Sequence, residues 1–209
     1  MTITLALEDQ LALADLGTYV ARARALDADG AVRLQAAGGI LAAYVCVLGG
    51  QGLLGHGTVL GLQVLRLSEP ASVDAVVSLS AVADRLAREA GGRALPVPPV
   101  TVSAGWAAIA PPRGGWEPVG WLAAAQLRSA AVAGIEEVAT GSPPDAGGHA
   151  VRALRQRVWG RDTPTAPPVP AGAAFGLHAL GFLAGDRVQV LSAGRWTRLS
   201  TATGHVLLR

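Results

Sequence analysis

The fold is decided by residues 34–65, LQAAGGILAAYVCVLGGQGLLGHGTVLGLQVL. No Asp, Glu or Arg occurs between Arg33 and Arg66, so length alone would permit a membrane-spanning segment. Glycines interrupt the stretch, however, and leave residues 40–48 as its longest compact apolar run, which is too short to cross a bilayer as a helix. Two buried strands joined by a glycine-rich turn explain the pattern better, and the sequence predicts no contact with a membrane.

The regions on either side of this stretch predict a helix and further strands. Residues 8–26 carry apolar side chains close to helical spacing, which predicts an amphipathic helix. Residues 31–35, 40–48 and 58–67 are compatible with strands and are separated by glycine clusters, as in an antiparallel meander. Residues 73–79 predict a fourth strand.

The remainder of the chain predicts a second set of helices and strands. The predicted strands are 100–102, 106–110, 187–191, 195–199 and 205–208, and the predicted helices are about 122–139, 145–159 and 173–183. The stiff segment 93–99 contains three prolines and suits a connector between two halves. We therefore predict an α+β protein with mainly antiparallel sheets packed against helices, in two domains, residues 1–95 and 96–209.

Composition excludes several classes of chemistry. Of the 209 residues, 51% are hydrophobic and only 15% are charged, which indicates a globular chain with a substantial core. All 17 basic residues are arginine, so this chain cannot supply a Walker-type lysine or a Schiff-base lysine. Cys46 is the single cysteine, which excludes an intramolecular disulfide and suits a reducing cytoplasm. The N-terminus lacks the basic region of a signal peptide, so we expect a cytoplasmic protein.

No catalytic or metal motif is present in the sequence. There is no GxSxG nucleophile elbow, and the four histidines do not have zinc-binding spacing. Glu136 and Glu137 are adjacent, and neighbouring side chains on a helix diverge by about 100° and cannot share a proton. We predict no catalytic residue, metal or cofactor. The sequence leaves enzymatic activity open but favours a protein that is not an enzyme. Only a constellation assembled in space could restore catalysis.

One glycine motif invites a nucleotide-binding interpretation. Residues 50–55 read GxGxxG after a hydrophobic strand, and Asp74 follows the last glycine by 19 residues, which is a dinucleotide-binding spacing. That mechanism needs a helix directly after the glycines, whereas the residues from His56 to Gly61 predict a strand. A flexible hairpin loop is the better interpretation.

Three tryptophans surround a loop that contains an arginine. Trp106, Trp116 and Trp121 lie close to the turn-rich segment with Arg113. Such a loop is a candidate site for a planar or anionic ligand. Anchoring in the core and an oligomer interface are the alternatives, the first of which the sequence favours.

Positive charge is concentrated in the C-terminal third. Residues 146–209 hold eight arginines against two aspartates, a net charge of +6, whereas residues 1–145 have a net charge of −4. The candidate residues for an acidic partner are Arg152, Arg155, Arg157 and Arg161. Because no nucleic-acid-binding fold signature accompanies them, a solvated surface or a contact with acidic residues of the other half is favoured over nucleic acid.

Three segments together resemble an uncharacterised family of actinobacterial proteins. They are Pro111-Pro112-Arg113-Gly114-Gly115-Trp116-Glu117, Val158-Trp159-Gly160-Arg161, and the ending from Trp196-Thr197-Arg198-Leu199-Ser200 to Gly204-His205-Val206-Leu207. The resemblance spans nearly the whole chain and implies a cytoplasmic bacterial setting. It implies no activity, cofactor or catalytic residue.

The leading hypothesis is a non-enzymatic interaction or structural module that self-associates, most simply as a homodimer, because so apolar a chain has much surface to cover. The first alternative is a small-molecule-binding protein or enzyme with a site at Trp106, Arg113, Trp116 and Trp121. The second is a binder of an acidic protein or nucleic acid through the C-terminal arginines.

Overall fold

A computed structural model of the protein describes residues 3–52, 55–142 and 147–209. The strands are β1 (Thr4–Ala6), β2 (Ala31–Leu48), β3 (Val59–Ser78), β4 (Ala94–Pro96), β5 (Glu117–Ala123), β6 (Arg187–Ala193), β7 (Trp196–Ser200) and β8 (His205–Leu208). The α-helices are α1 (Gln10–Leu26), α2 (Leu79–Arg88), α3 (Ala124–Thr140), α4 (Gly148–Gly160) and α5 (Ala171–Ala179), and a short 3-10 helix covers Gly105–Ala108.

The chain divides into two compact units. The N-terminal unit comprises Met1–Val47 and Gly61–Ala110, and the C-terminal unit comprises Leu48–Leu60 and Pro111–Arg209. This division differs from the predicted boundary near residue 96. The proline-containing segment is built into the N-terminal unit, because β4 pairs with β1 and the Val97 N–H donates to the Ile3 carbonyl at 2.8 Å. Independent folding of residues 1–95 and 96–209 stays a prediction.

The N-terminal unit places two helices with the long strands β2 and β3. Asp9 caps α1 by accepting a hydrogen bond from the Ala12 N–H at 2.7 Å, and Ser78 caps α2 by accepting from the Ala81 N–H at 3.2 Å. The buried Tyr19 hydroxyl on α1 donates to the Ala43 carbonyl at 3.2 Å and so ties the helix to β2. Helix and strand positions in this unit are therefore set by caps and by long-range hydrogen bonds as well as by apolar burial.

The C-terminal unit is built around an antiparallel sheet. Its strand order is β3, β8, β7, β6, β5, in which β3 contributes its first residues. Helix α5 is buried along most of its length and packs on β8, while α3 packs on α5. Trp159 of α4 stacks on Phe175 of α5 with 4.4 Å between ring centroids. Only glycine fits at position 134, because a methyl group there would overlap the Trp159 ring.

The predicted fold class is confirmed: the protein is α+β, with antiparallel sheets packed against helices. Several local predictions are wrong: the predicted strands 58–67 and 73–79 belong to the single strand β3, and residues 100–102 form no strand. Residues 31–35 and 40–48 form one strand, because Gly38 adopts a φ of 59°, open to glycine without strain, and the strand continues through it. Residues 106–110 do not form a strand, since the Ala107 and Ile109 N–H groups donate to carbonyls three residues earlier.

Candidate functional site

The sheet of the C-terminal unit has one closed face. Five side chains on this face are at most 3% exposed: Leu122, Val188, Val190, Leu199 and Val206. They alternate along their strands with residues of the opposite face, as the pleat requires. Helices α3 and α5 contact the strands on which they lie, so this face belongs to the core.

A row of side chains with polar groups crosses the opposite face. Trp121 on β5 lies opposite Gln189 on β6, which lies opposite Ser200 on β7, which lies opposite His205 on β8. Directly opposite residues of antiparallel strands project from the same face, so these four side chains are neighbours. Trp121 is 51% exposed, and the other three are half-buried. We call this row and the residues beside it the outer face.

Two arginine–tryptophan stacks border this row. The Arg187 guanidinium lies 4.9 Å from the centroid of the Trp121 ring, and the Arg198 guanidinium lies 4.8 Å from that of Trp116. The Trp116 indole N–H donates to the Pro112 carbonyl at 3.1 Å, which fixes its ring over Arg198. Each distance is within the range for an attractive cation–π contact.

Arg198 is half-buried on the outer face and affects the protonation of its neighbour His205. Partial burial lowers the pKa of its guanidinium, and its Nε is buried without a hydrogen-bond partner in the described structure. The imidazole of His205 has a pKa lowered to about 4, first by burial and then by the positive charge of Arg198. His205 Nδ1 lies 3.0 Å from Ser200 Oγ. At neutral pH the Arg198 cation therefore lies beside a neutral histidine–serine pair.

The structure distributes the predicted ligand residues between the two units. Trp106 lies half-buried in the 3-10 helix of the N-terminal unit, whereas Arg113, Trp116 and Trp121 belong to the C-terminal unit. Arg113 is exposed on the loop before β5. The arginines that contact the tryptophans, Arg187 and Arg198, are not among the predicted site residues. For Arg198 the sequence does contain a signal, because residues 196, 198 and 200 of a strand project from the same face.

The arginines predicted for an acidic partner are exposed. Arg152, Arg155 and Arg157 project from α4, which contains no acidic residue, and Arg161 follows the helix. Arg161 forms an ion pair with Glu137 of α3. The other three form no ion pair within residues 3–52, 55–142 and 147–209.

The glycine motif lacks the arrangement that a dinucleotide site needs. Gln51 and His56 exchange backbone hydrogen bonds of 2.8 and 3.0 Å, and a strand, β3, follows. Leu53 and Leu54 of the motif lie outside the described residues. Asp74, the candidate ribose ligand, accepts hydrogen bonds from Arg33 and Gln35 instead.

Neither a metal cluster nor a membrane-spanning helix occurs in the described part of the chain. There, no group of three His, Cys, Asp or Glu side chains is placed to hold a metal ion. None of the helices that are described has the length and apolar character needed to cross a membrane.

Sequence families match both parts of the chain. Residues 1–106 match the family described as "Domain of unknown function (DUF8010)", and residues 111–209 match "Domain of unknown function (DUF8185)". Among curated proteins there was no match.

Solved structures of sliding clamps share the fold. One is the DnaN sliding clamp (DNA polymerase III subunit beta) of Bartonella birtlesii bound to griselimycin, with a TM-score of 0.55, 10% identity, and coverage of 99% of this chain and 65% of that chain. Another is the DNA polymerase sliding clamp of Pseudomonas aeruginosa, with a TM-score of 0.54, 13% identity, and coverage of 99% and 64%. This chain thus spans slightly under two thirds of either clamp. At such identities the likeness concerns the fold alone.

Proposed function

We propose, for a chain that belongs to the family described as a domain of unknown function (DUF8010), that it is a non-enzymatic interaction module that self-associates as a homodimer. The observation that carries this proposal is strand β5, which ends the sheet order and bears Val119 and Trp121, each 51% exposed. Large apolar side chains on an edge strand are typical of a contact surface. The fold that this chain shares with a DNA polymerase III subunit beta supports a module of this class.

The contact is expected to involve side chains more than the backbone of β5. Pro118 has no N–H, and the pairing register shifts between Pro118 and Gly120, so continuous strand addition along the whole edge is blocked. Trp121 under the Arg187 guanidinium combines the two residue types that most often dominate binding energy in interfaces.

Charge favours an antiparallel arrangement of two copies. Exposed Glu117 begins β5, and exposed Arg187 lies opposite Ala123 at its other end. When two β5 strands run antiparallel about a two-fold axis, the end of β5 that carries Glu117 in each copy lies beside the end next to Arg187 of the other copy. One patch is then complementary to itself.

The test is the mass of the protein in solution across a range of concentrations, by native mass spectrometry and light scattering. Trp121→Ala is expected to weaken the dimer by about 2 kcal/mol, roughly thirtyfold in Kd. Leu11→Ser is the matched control, because Leu11 is an exposed apolar residue of the N-terminal unit. A monomeric wild-type protein, or equal weakening by both variants, would contradict the proposal.

A charge exchange tests the arrangement itself. Glu117→Arg and Arg187→Glu should each weaken the dimer through repulsion, and the double variant should restore it. Additive losses in the double variant would exclude the two-fold contact.

A cytoplasmic setting is also part of the proposal, supported by the single thiol of Cys46, which cannot form an intramolecular disulfide.

A second candidate function is the binding of a polyanion such as DNA through α4. It is favoured by three exposed arginines on a helix without acidic residues, and by a fold shared with subunits of a DNA polymerase. Each phosphate contact releases counterions, so affinity should fall steeply with salt.

Fluorescence anisotropy with labelled duplex DNA tests this candidate. Arg155→Gln with Arg157→Gln should lower the slope of log K against log salt by about 1 for each phosphate that the helix no longer neutralises. Arg195→Gln, at the exposed turn between β6 and β7, is the control. Binding that is insensitive to salt, or equally reduced by the control, would exclude it.

A further inference from the structure

Arg198 is a cation without a counterion among the described residues. The ion pairs of these residues join Arg33 to Asp74 and Arg161 to Glu137, and Arg198 belongs to neither. Its Nε is buried and has no hydrogen-bond partner there, and its cross-strand neighbours Leu191 and Leu207 are buried apolar residues. A partly buried charge is unfavourable unless an acceptor approaches it, so this arrangement calls for an anion.

The contact with Trp116 positions this cation. The guanidinium carbon of Arg198 lies over the Trp116 ring, 4.8 Å from its centroid, and the ring attracts the cation without supplying an anionic oxygen. Trp116 is in turn held by its hydrogen bond to Pro112. Arg198 is therefore held beside a tryptophan whose own position is fixed by a hydrogen bond.

Neutral donors stand beside the cation. Ser200 lies two residues along β7 from Arg198, on the same face, and shares a hydrogen bond with His205. Arg198 is close enough to His205 to help lower the pKa of the imidazole. Because that pKa is about 4, the pair offers hydrogen bonds rather than a second charge at neutral pH.

We propose that the outer face of the C-terminal unit binds a small oxyanion, a carboxylate or phosphate group, through Arg198 stacked on Trp116, with Ser200 and His205 as neutral hydrogen-bonding partners. The planar fork of arginine matches two oxygens of either group. This site uses none of the residues on which the proposed dimer rests.

Titration followed by proton–nitrogen correlation NMR tests the proposal on the full chain. Inorganic phosphate and benzoate are the two probes, and they distinguish a phosphoryl group from a planar carboxylate. The expected result is saturable movement of the Arg198 Nε–H and Trp116 indole signals with at least one probe. Arg198→Gln should weaken binding about tenfold or more, and Ser200→Ala about threefold.

Arg195→Gln is the matched control, because Arg195 is exposed and only three residues away. Loss of affinity in Arg198→Gln with retention in Arg195→Gln supports the site. Equal losses of affinity in the two variants would show a diffuse attraction of the anion to positive charge. NMR signal shifts that never saturate would show that there is no site. Either result overturns the proposal. Ser200→Ala retains the cation and decides the matter if Arg198→Gln does not fold. Oligomer mass, measured on the same variants, reports on the dimer separately.

Discussion

Two half-buried arginines on strands have opposite surroundings. Arg33 in the N-terminal unit donates from Nε and Nη2 to the two oxygens of Asp74 at 2.7 Å each, and from Nη1 to the Ala107 carbonyl at 3.0 Å. The hydrogen bond to Asp74 raises the pKa of Arg33, whereas burial lowers that of Arg198. Arg33 thus uses its donors to hold its own unit together, whereas Arg198 takes part in no ion pair of the described residues and its buried Nε has no hydrogen-bond partner there. The same residue type is structural in one unit and a candidate binding group in the other.

The largest expected effect on the free energy of unfolding comes from a substitution on the closed face of β7. Leu199 is fully buried on the closed face, next to Arg198 on the outer face. Leu199→Ala should lower the free energy of unfolding by about 2–5 kcal/mol, because it removes buried methyl groups and leaves a cavity. Urea denaturation measures this change. If Leu199→Ala lowers the free energy of unfolding by less than Arg33→Gln or Arg198→Gln does, burial on the closed face does not stabilise the unit as expected.

The next effect depends on pH and comes from His205 beside Arg198. Its pKa is about 4 in the folded protein and near 6.5 when unfolded, so the unfolded state binds the proton more readily. The stability contributed by neutral His205 is fully present above about pH 6.5 and is lost as pH falls toward 4, by roughly 3 kcal/mol. Urea midpoints at neutral pH and about pH 4.5 measure it. If His205→Gln shows the wild-type pH dependence, this interpretation fails.

A smaller effect is expected for the paired arginine. Arg33→Gln removes both hydrogen bonds to Asp74 and the one to Ala107, and should destabilise the protein by about 1 kcal/mol after allowance for the 49% exposure of Asp74. Thermal unfolding measures this, and hydrogen exchange of the 3-10 helix Gly105–Ala108 should increase at the same time. Unchanged exchange there would show that Arg33 does not hold the segment.

The smallest effect on stability is expected for the stacked arginine. Arg198→Gln should change the free energy of unfolding by less than about 0.5 kcal/mol, because the loss of stacking on Trp116 is offset by relief of an unpaired charge. The same urea denaturation provides the comparison with Arg33→Gln. If Arg198→Gln is the more damaging of the two, Arg198 is a structural residue and the contrast between the units disappears.

Helices and strands that are marked by a local sequence pattern agree with their predicted positions. The helix predicted over residues 8–26 corresponds to α1, and the last three strands lie within two residues of their predicted ends. Apolar periodicity and glycine turns determine such elements locally. The 3-10 helix at residues 105–108 escaped prediction because long-range contacts bear on it: the Ala107 carbonyl accepts from Arg33, 74 positions earlier in the chain.

The sequence drew attention to two tryptophans but not to the arginines that contact them in the structure. The sequence identified Trp116 and Trp121 beside an arginine, and that arginine was Arg113. The structure places Arg198 and Arg187 on these rings, 82 and 66 positions away in the chain. Which arginine meets which tryptophan depends on the register of β5, β6 and β7, and sequence spacing alone does not encode it.

By itself the sequence determined the α+β class, the lysine-free chemistry, the single thiol and the basic C-terminal third, because these follow from composition and local periodicity. Tertiary structure decided the rest. Strand pairing chose which residues share the outer face, and long-range hydrogen bonds built the proline segment into the N-terminal unit. The physical reason is that burial and pairing act between residues distant in the chain, so a side chain becomes structural or available only once its neighbours are fixed.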